Sequence, residues 1–86
     1  MKTAEERLLD SGYEGTIYLK DWSYDSALIG VSEDGRAIYD WELMVDWLVM
    51  EEGFTDEEAM EWIDYNTIRA LPYMGEGAPI VMYKID

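Results

Sequence analysis

Ten carboxylates, three tryptophans and no basic residue lie between Asp40 and Tyr65, in the stretch DWELMVDWLVMEEGFTDEEAMEWIDY. Carboxylates can share a proton in acid–base catalysis, ligate a hard cation, cap a helix or attract a cationic partner. Two of them flanking a glycosidic bond can hydrolyse it. Among twenty acids, however, a pair at a suitable separation arises by chance. Histidine and cysteine are both absent, which removes the commonest general base near neutral pH, thiolate chemistry and most zinc sites. A serine nucleophile has no G-x-S-x-G context here, and 86 residues leave little room for a substrate cleft. The expectation is a non-enzymatic protein without a cofactor.

A specific calcium site is not indicated either. The EF-hand loop needs acids at alternating positions before a glycine and a glutamate six residues after it. Around Gly35 those alternating positions are Gly30, Ser32 and Asp34, with Trp41 where the glutamate belongs; around Gly30 they are Asp25, Ala27 and Ile29.

The net charge of −14 sets the sign of any partner. Direct binding to nucleic acid is not expected, because neutralising phosphates takes lysine and arginine, and an anionic membrane surface is disfavoured for the same reason. Charge of this size speeds association with basic surfaces while costing stability through self-repulsion. No apolar run approaches the roughly 20 residues that span a bilayer, and MKTAEERLLDSG is too charged for a signal peptide. The absence of cysteine fits a reducing compartment, so the expected location is the cytoplasm.

The elements that position these groups follow from local chemistry. At 49% hydrophobic and 14% aromatic, the chain reads as one folded domain over residues 1–86, not as an acidic disordered tail. Thr3 and Glu6 stand at capping-box spacing and Gly12 is a stop, giving a helix of about two turns that needs docking to persist. Thr16 to Lys20 reads as a short strand. Two apolar runs flank Asp34-Gly35, the signature of a two-residue type I′ hairpin turn, so Ala27–Ser32 and Arg36–Tyr39 should pair antiparallel. Asp40 caps a helix over Trp41–Glu52 that Gly53 stops. Thr55 and Glu58 form a second capping box, and the helix they open should run to about Leu71, where Pro72 ends it. Ala59, Ile63 and Ala70 trace its core stripe. Pro79–Ile85 reads as a last strand, with Pro79 confined to its first position or an edge. Helices on one face of a small antiparallel sheet make an α+β two-layer domain.

Placed on those elements, Glu42 and Asp46 share a face of the first long helix, and Glu57, Glu61 and Asp64 fall near one face of the next. Together with Glu51, Glu52 and Tyr65 they are the candidate partner-binding residues. Packed as an antiparallel pair, the two helices would carry these carboxylates across about 15–20 Å, a form suited to a lysine- and arginine-lined groove built for phosphates. Asp56, Glu57 and Glu58 also have a local reason to be where they are, since the helix dipole favours anions in the first turn. The first long helix is apolar on two sides: Trp41, Met44, Val45, Leu48 and Glu52 follow one line, Leu43, Trp47 and Met50 another. The second line, centred on Trp47, is the candidate for a partner contact or a homodimer seam.

Two segments, YDSALIGVSEDGRAIYD and DYNTIRALPYMGEGAPIVMY, resemble a group of short proteins carried by bacteriophages and related mobile elements. The resemblance rests on Tyr24, Asp25, Ala27, Gly30, Gly35, Arg36 and Tyr39, then Tyr65, Asn66, Arg69, Leu71, Pro72 and Tyr73, and covers roughly Tyr24 to Tyr83. It implies no activity. By analogy of class, small acidic phage proteins resemble inhibitors of host nucleases or CRISPR complexes, several of which mimic DNA. The first expectation is therefore a protein that blocks a basic, nucleic-acid-binding surface of a host protein. The second is a phage structural or assembly protein that homodimerises through the Trp47 face. Within the second segment, Arg69 is expected to pair with Asp25 or Asp64, and Asn66 to cap or kink its helix through a side-chain-to-backbone hydrogen bond.

Overall fold

The computed structural model describes residues 2–20 and 24–85. In chain order these form α1 (Ala4–Asp10), a 3-10 turn (Asp25–Ala27), β1 (Leu28–Val31), β2 (Ala37–Asp40), α2 (Trp41–Glu52), α3 (Asp56–Trp62), a π-helical turn (Ile63–Thr67), a 3-10 stretch (Ile68–Met74) and β3 (Ile80–Met82). The strands make one sheet in the order β1-β2-β3. The α+β class expected from the pattern holds, but the sheet is mixed: β2 pairs with β3 in parallel, Ile38 facing Ile80 and Asp40 facing Met82. The chain leaves β2 directly into α2 and returns only after two helices, and a long helical crossover of that kind joins parallel neighbours. The last strand is shorter than expected, since Tyr83, Lys84 and Ile85 are exposed beyond it. Pro79 sits buried immediately before it, on an edge strand.

The hairpin forms where the apolar runs put it, with Val31 opposite Ala37 and Leu28 opposite Tyr39. Its turn differs from the two-residue form. The Gly35 amide donates to the Ser32 carbonyl at 2.9 Å, the Ser32 amide donates to the Arg36 carbonyl at 2.8 Å, and Gly35 has φ +82. That is a three-residue loop with a left-handed glycine at its end, the next commonest hairpin solution. The Arg36 amide adds a bond to the Ser32 hydroxyl at 3.0 Å.

Thr16–Lys20 does not become a strand. Its backbone anchors to a side chain instead: the Leu19 amide donates to the Tyr39 hydroxyl at 3.0 Å, and Leu19 is buried. The short α1 carries its capping box, with the Glu6 amide on the Thr3 hydroxyl and the Thr3 amide on the Glu6 carboxylate, each at 3.2 Å. Seven residues are too few for an isolated helix, and docking supplies the rest. Ala4 and Leu8 are buried, the Ala4 amide donates to the Asp25 carboxylate at 3.0 Å, and Arg7 donates to the Asp25 carbonyl.

Helix α2 is capped as its sequence dictates. The Asp40 carboxylate accepts from the Glu42 amide at 2.9 Å, and Gly53 closes the other end at φ +72. Met44, Val45 and Leu48 face the core, Trp41 stacks on Tyr83 with ring centroids 5.4 Å apart, and Glu52, assigned from spacing to the core line, is exposed. Helix α3 opens on the Thr55–Glu58 box, then departs from expectation. It widens into a π turn at Ile63 and tightens into a 3-10 stretch that carries Pro72 inside it. Asn66 supplies the reason, its side-chain amide donating to the Trp62 carbonyl at 3.1 Å, in the competition with the backbone ladder expected of that residue. Beyond the widened turn Ala70, expected in the core, is exposed, while Thr67 is buried. The fully buried centre is Tyr24, Tyr39, Met44, Leu48 and Ile63, contributed by elements from both layers.

Candidate partner-binding surface

Some acids of this chain have structural duties. Asp40, Glu6 and Glu58 cap helices, Asp25 anchors α1, Asp10 pairs with Lys2, and Glu5 accepts from the Tyr18 hydroxyl at 3.0 Å. Glu42, Asp46, Glu51, Glu52, Glu57, Glu61 and Asp64, the seven acids expected to face a partner, have no such duty, and neither do the exposed Glu14, Glu33, Asp56 and Glu76. All seven are exposed, and among the described residues their carboxylates accept no hydrogen bond and join no ion pair.

Helix geometry orders them. On α2, Glu42 and Asp46 stand one turn apart, on the side away from Met44, Val45 and Leu48. Leu43 and Met50 lie on the same outward side, 37% and 79% exposed. Glu51 and Glu52 end the helix with no basic residue in its last turn, where the helix dipole disfavours negative charge. Local structure gives them no compensation. On α3, Glu57 and Glu61 stand one turn apart, opposite the buried Ala59 and Ile63.

The structure brings three of the expected residues, Glu61, Asp64 and Tyr65, into one place. With Glu58, Phe54, Trp62 and Asn66 they line an open groove of about 730 Å³ along α3 and the π turn. The Phe54 and Trp62 rings meet edge-on at 5.7 Å. Tyr65 is 67% exposed, and the Arg69 guanidinium lies over its ring, 4.9 Å from the centroid. The expected ion pair of Arg69 with Asp25 or Asp64 is thus replaced by a cation–π stack: four residues along a widened helix, the ring is the nearer partner. Glu57 lies outside the groove lining, and Glu42, Asp46, Glu51 and Glu52 belong to α2 alone. No three acids converge closely enough to hold a metal ion among the described residues.

Trp47 is half-buried rather than outward, its ring edge-on to Tyr24 at 5.8 Å. The second apolar line of α2 therefore shows only Leu43 and Met50 to solvent. Sequence reasoning missed Phe54, Trp62 and Glu58 as groove walls. Glu58 is accounted for by its capping role and Trp62 by core burial, and no spacing singles out Phe54; only the side-chain chemistry of Asn66 hints that the helix would depart from regularity beside them.

A second cleft of about 390 Å³ lies between Ile17–Lys20 and the turns that carry Thr67 and Met74, with Tyr24 in its wall and Lys20 its one charged described residue. Burial pushes the Tyr24 phenol up to about 12, opposed by the nearby Thr67 side chain, which stays outside hydrogen-bond geometry. No helix among the described residues is long and apolar enough to cross a membrane. No family model, curated protein or solved structure matches the chain.

Proposed function

We propose that the protein is a non-enzymatic, phage-type inhibitor acting in the cytoplasm, whose acidic helical surface occupies a basic, nucleic-acid-binding groove of a host protein. CRISPR effectors and other defence nucleases are the class of target. One observation carries this reading: the exposed carboxylates of Glu42, Asp46, Glu51, Glu52, Glu57, Glu61 and Asp64 have no internal partner among the described residues, and no basic residue interrupts the stretch between Arg36 and Arg69. A surface kept uncompensated in this way, including two glutamates at the wrong end of a helix dipole, suits a cationic partner that neutralises it on contact. Association would be fast and salt-sensitive.

The competing class, an assembly protein that dimerises through the Trp47 face, draws on less. With Trp47 turned against Tyr24, that seam reduces to Leu43 and Met50. One experiment separates the two. Glu42, Asp46, Glu57, Glu61 and Asp64 are changed together to the corresponding amides, which keeps their shape. Binding to host nucleic-acid-binding proteins is then measured at low salt and at about 0.5 M, where screening shortens to roughly 4 Å, with duplex DNA as competitor. The proposal expects binding that DNA displaces, that high salt removes and that the amide variant lacks. Binding indifferent to all three changes, or a salt-resistant homodimer as the sole complex by sedimentation, would sink it.

A further inference from the structure

We infer that the groove walled by Phe54, Trp62, Tyr65, Glu61 and Asp64 is an arginine socket: it receives a guanidinium of the basic partner in preference to an ammonium. The inference rests on the proposed reading of the acidic surface and adds which side chain the partner presents. Three features of the groove point to a guanidinium.

Its walls are aromatic as well as acidic. A planar, weakly hydrated guanidinium stacks on aromatic faces and forks onto carboxylates, whereas an ammonium is a compact, strongly hydrated point charge. Carboxylates alone attract both ions. Aromatic walls beside them separate the two.

The molecule already makes the contact in question. Arg69 lays its guanidinium over the Tyr65 ring, yet Arg69 is not among the groove's walls. The stack thus steadies a ring that is two-thirds exposed without filling the space in front of it. Arg69 is in this sense a positioning residue, and Tyr65 the recognition surface.

The free valences match as well. Glu61 and Asp64 accept nothing from within the chain among the described residues, and Glu58 commits one oxygen to the Thr55 amide at 3.0 Å. A guanidinium has five donors in a fixed fork, enough to engage both free carboxylates while its plane lies on a ring. An ammonium can reach the acids but gains less from the rings.

The test uses the full chain and two synthetic peptides of equal length and charge, one alternating arginine with glycine and the other lysine with glycine. Titration is followed by tryptophan fluorescence and by calorimetry at 0.15 M salt. The arginine peptide should bind roughly three- to tenfold more tightly, the range of one partly exposed cation–π contact and its forked hydrogen bonds. Tyr65→Leu, at an exposed position, should erase that ratio while leaving lysine-peptide affinity within about twofold. Glu61→Gln with Asp64→Asn should weaken both peptides. Equal affinities for the two peptides, or a preference that survives Tyr65→Leu in a variant with an unchanged circular dichroism spectrum, overturns the socket. Either result leaves the acidic-surface reading to stand or fall on its own amide-variant experiment. Failure of both peptides to bind overturns the socket as well.

Discussion

Tyr24 offers a way to test the packing of the core against a titration. Its residue is 1% exposed, and burial pushes the phenol from its ordinary 10 to about 12. The fold therefore holds the neutral hydroxyl in preference to the phenolate, and that preference stabilises the native state fully below pH 10. As pH rises from 10 through 12 the unfolded chain ionises first, and the contribution drains away. Linkage over a gap of about two pH units gives a loss on the order of 1 kcal/mol at pH 11 and on the order of 2 kcal/mol at pH 12. With so little of the residue exposed, solvent screening takes little from those figures. Tyr24→Phe removes the titration and keeps the ring against Trp47. At pH 8 the variant should lie within about 1 kcal/mol of the parent, since the hydroxyl makes no well-formed hydrogen bond there. Urea unfolding followed by tryptophan fluorescence at pH 8, 10, 11 and 11.5 measures the gap between the two proteins. Tyr39, also raised by burial, and the general repulsion of a highly anionic chain act on both alike and cancel in the difference. The variant should gain on the parent by on the order of 1 kcal/mol by pH 11. Parallel curves from pH 8 to 11.5 would show that the phenol is not held neutral by the fold.

Two further perturbations address the scaffold beneath the acidic surface. Leu48→Ala, at a fully buried position on the inner face of α2, should cost about 2–5 kcal/mol in urea unfolding, a large share of the stability of a domain this small; a loss under 1 kcal/mol would place α2 outside the core. Gly35→Ala, where an added Cβ meets nothing within 4 Å, should cost about 1–2 kcal/mol purely through the left-handed backbone, with Gly35→Asn recovering part of it. Equal stability of the alanine and glycine proteins would rule out the three-residue loop.

What the sequence made legible was local chemistry. Capping boxes at Thr3 and Thr55, the Asp40 cap and the Gly53 stop are all decided within a few residues, and each is present as expected. The hairpin was legible as a pair of apolar runs, while its loop length was not: Asp-Gly signals a left-handed glycine without saying whether Glu33 belongs to the turn. The parallel pairing of β3 and the side-chain anchoring of Leu19 on Tyr39 lie on a different link of the chain of causes. Both depend on partners twenty or more residues away, which no spacing rule near Ile80 or Thr16 encodes. The same limit hid the inward turn of Trp47. Its line on the helix was apolar in either case, and only the arrival of Tyr24 from another element decided which way the ring would face.

The π turn joins these two scales, and it shapes the groove beside it. In a regular α-helix from Asp56 onward, the inner line through Ala59 and Ile63 would continue to Ala70, a small side chain with little to bury. One additional residue in the turn moves that line on by a position, so that Leu71 packs against the core and Ala70 faces out. Leu71 is half-buried there, so it gains part of the about 0.8 kcal/mol per methylene that full burial brings, set against the poorer hydrogen bonding of a widened turn. The same change of register sets the outer side of the chain. Asp64 and Tyr65 lie within the turn itself, beside Trp62, and Asn66, whose side chain sustains the widening, borders the groove they line. Core packing and the exposed aromatic of the groove thus meet in one widened turn. A substitution that restores regular helix at Asn66 would alter both together.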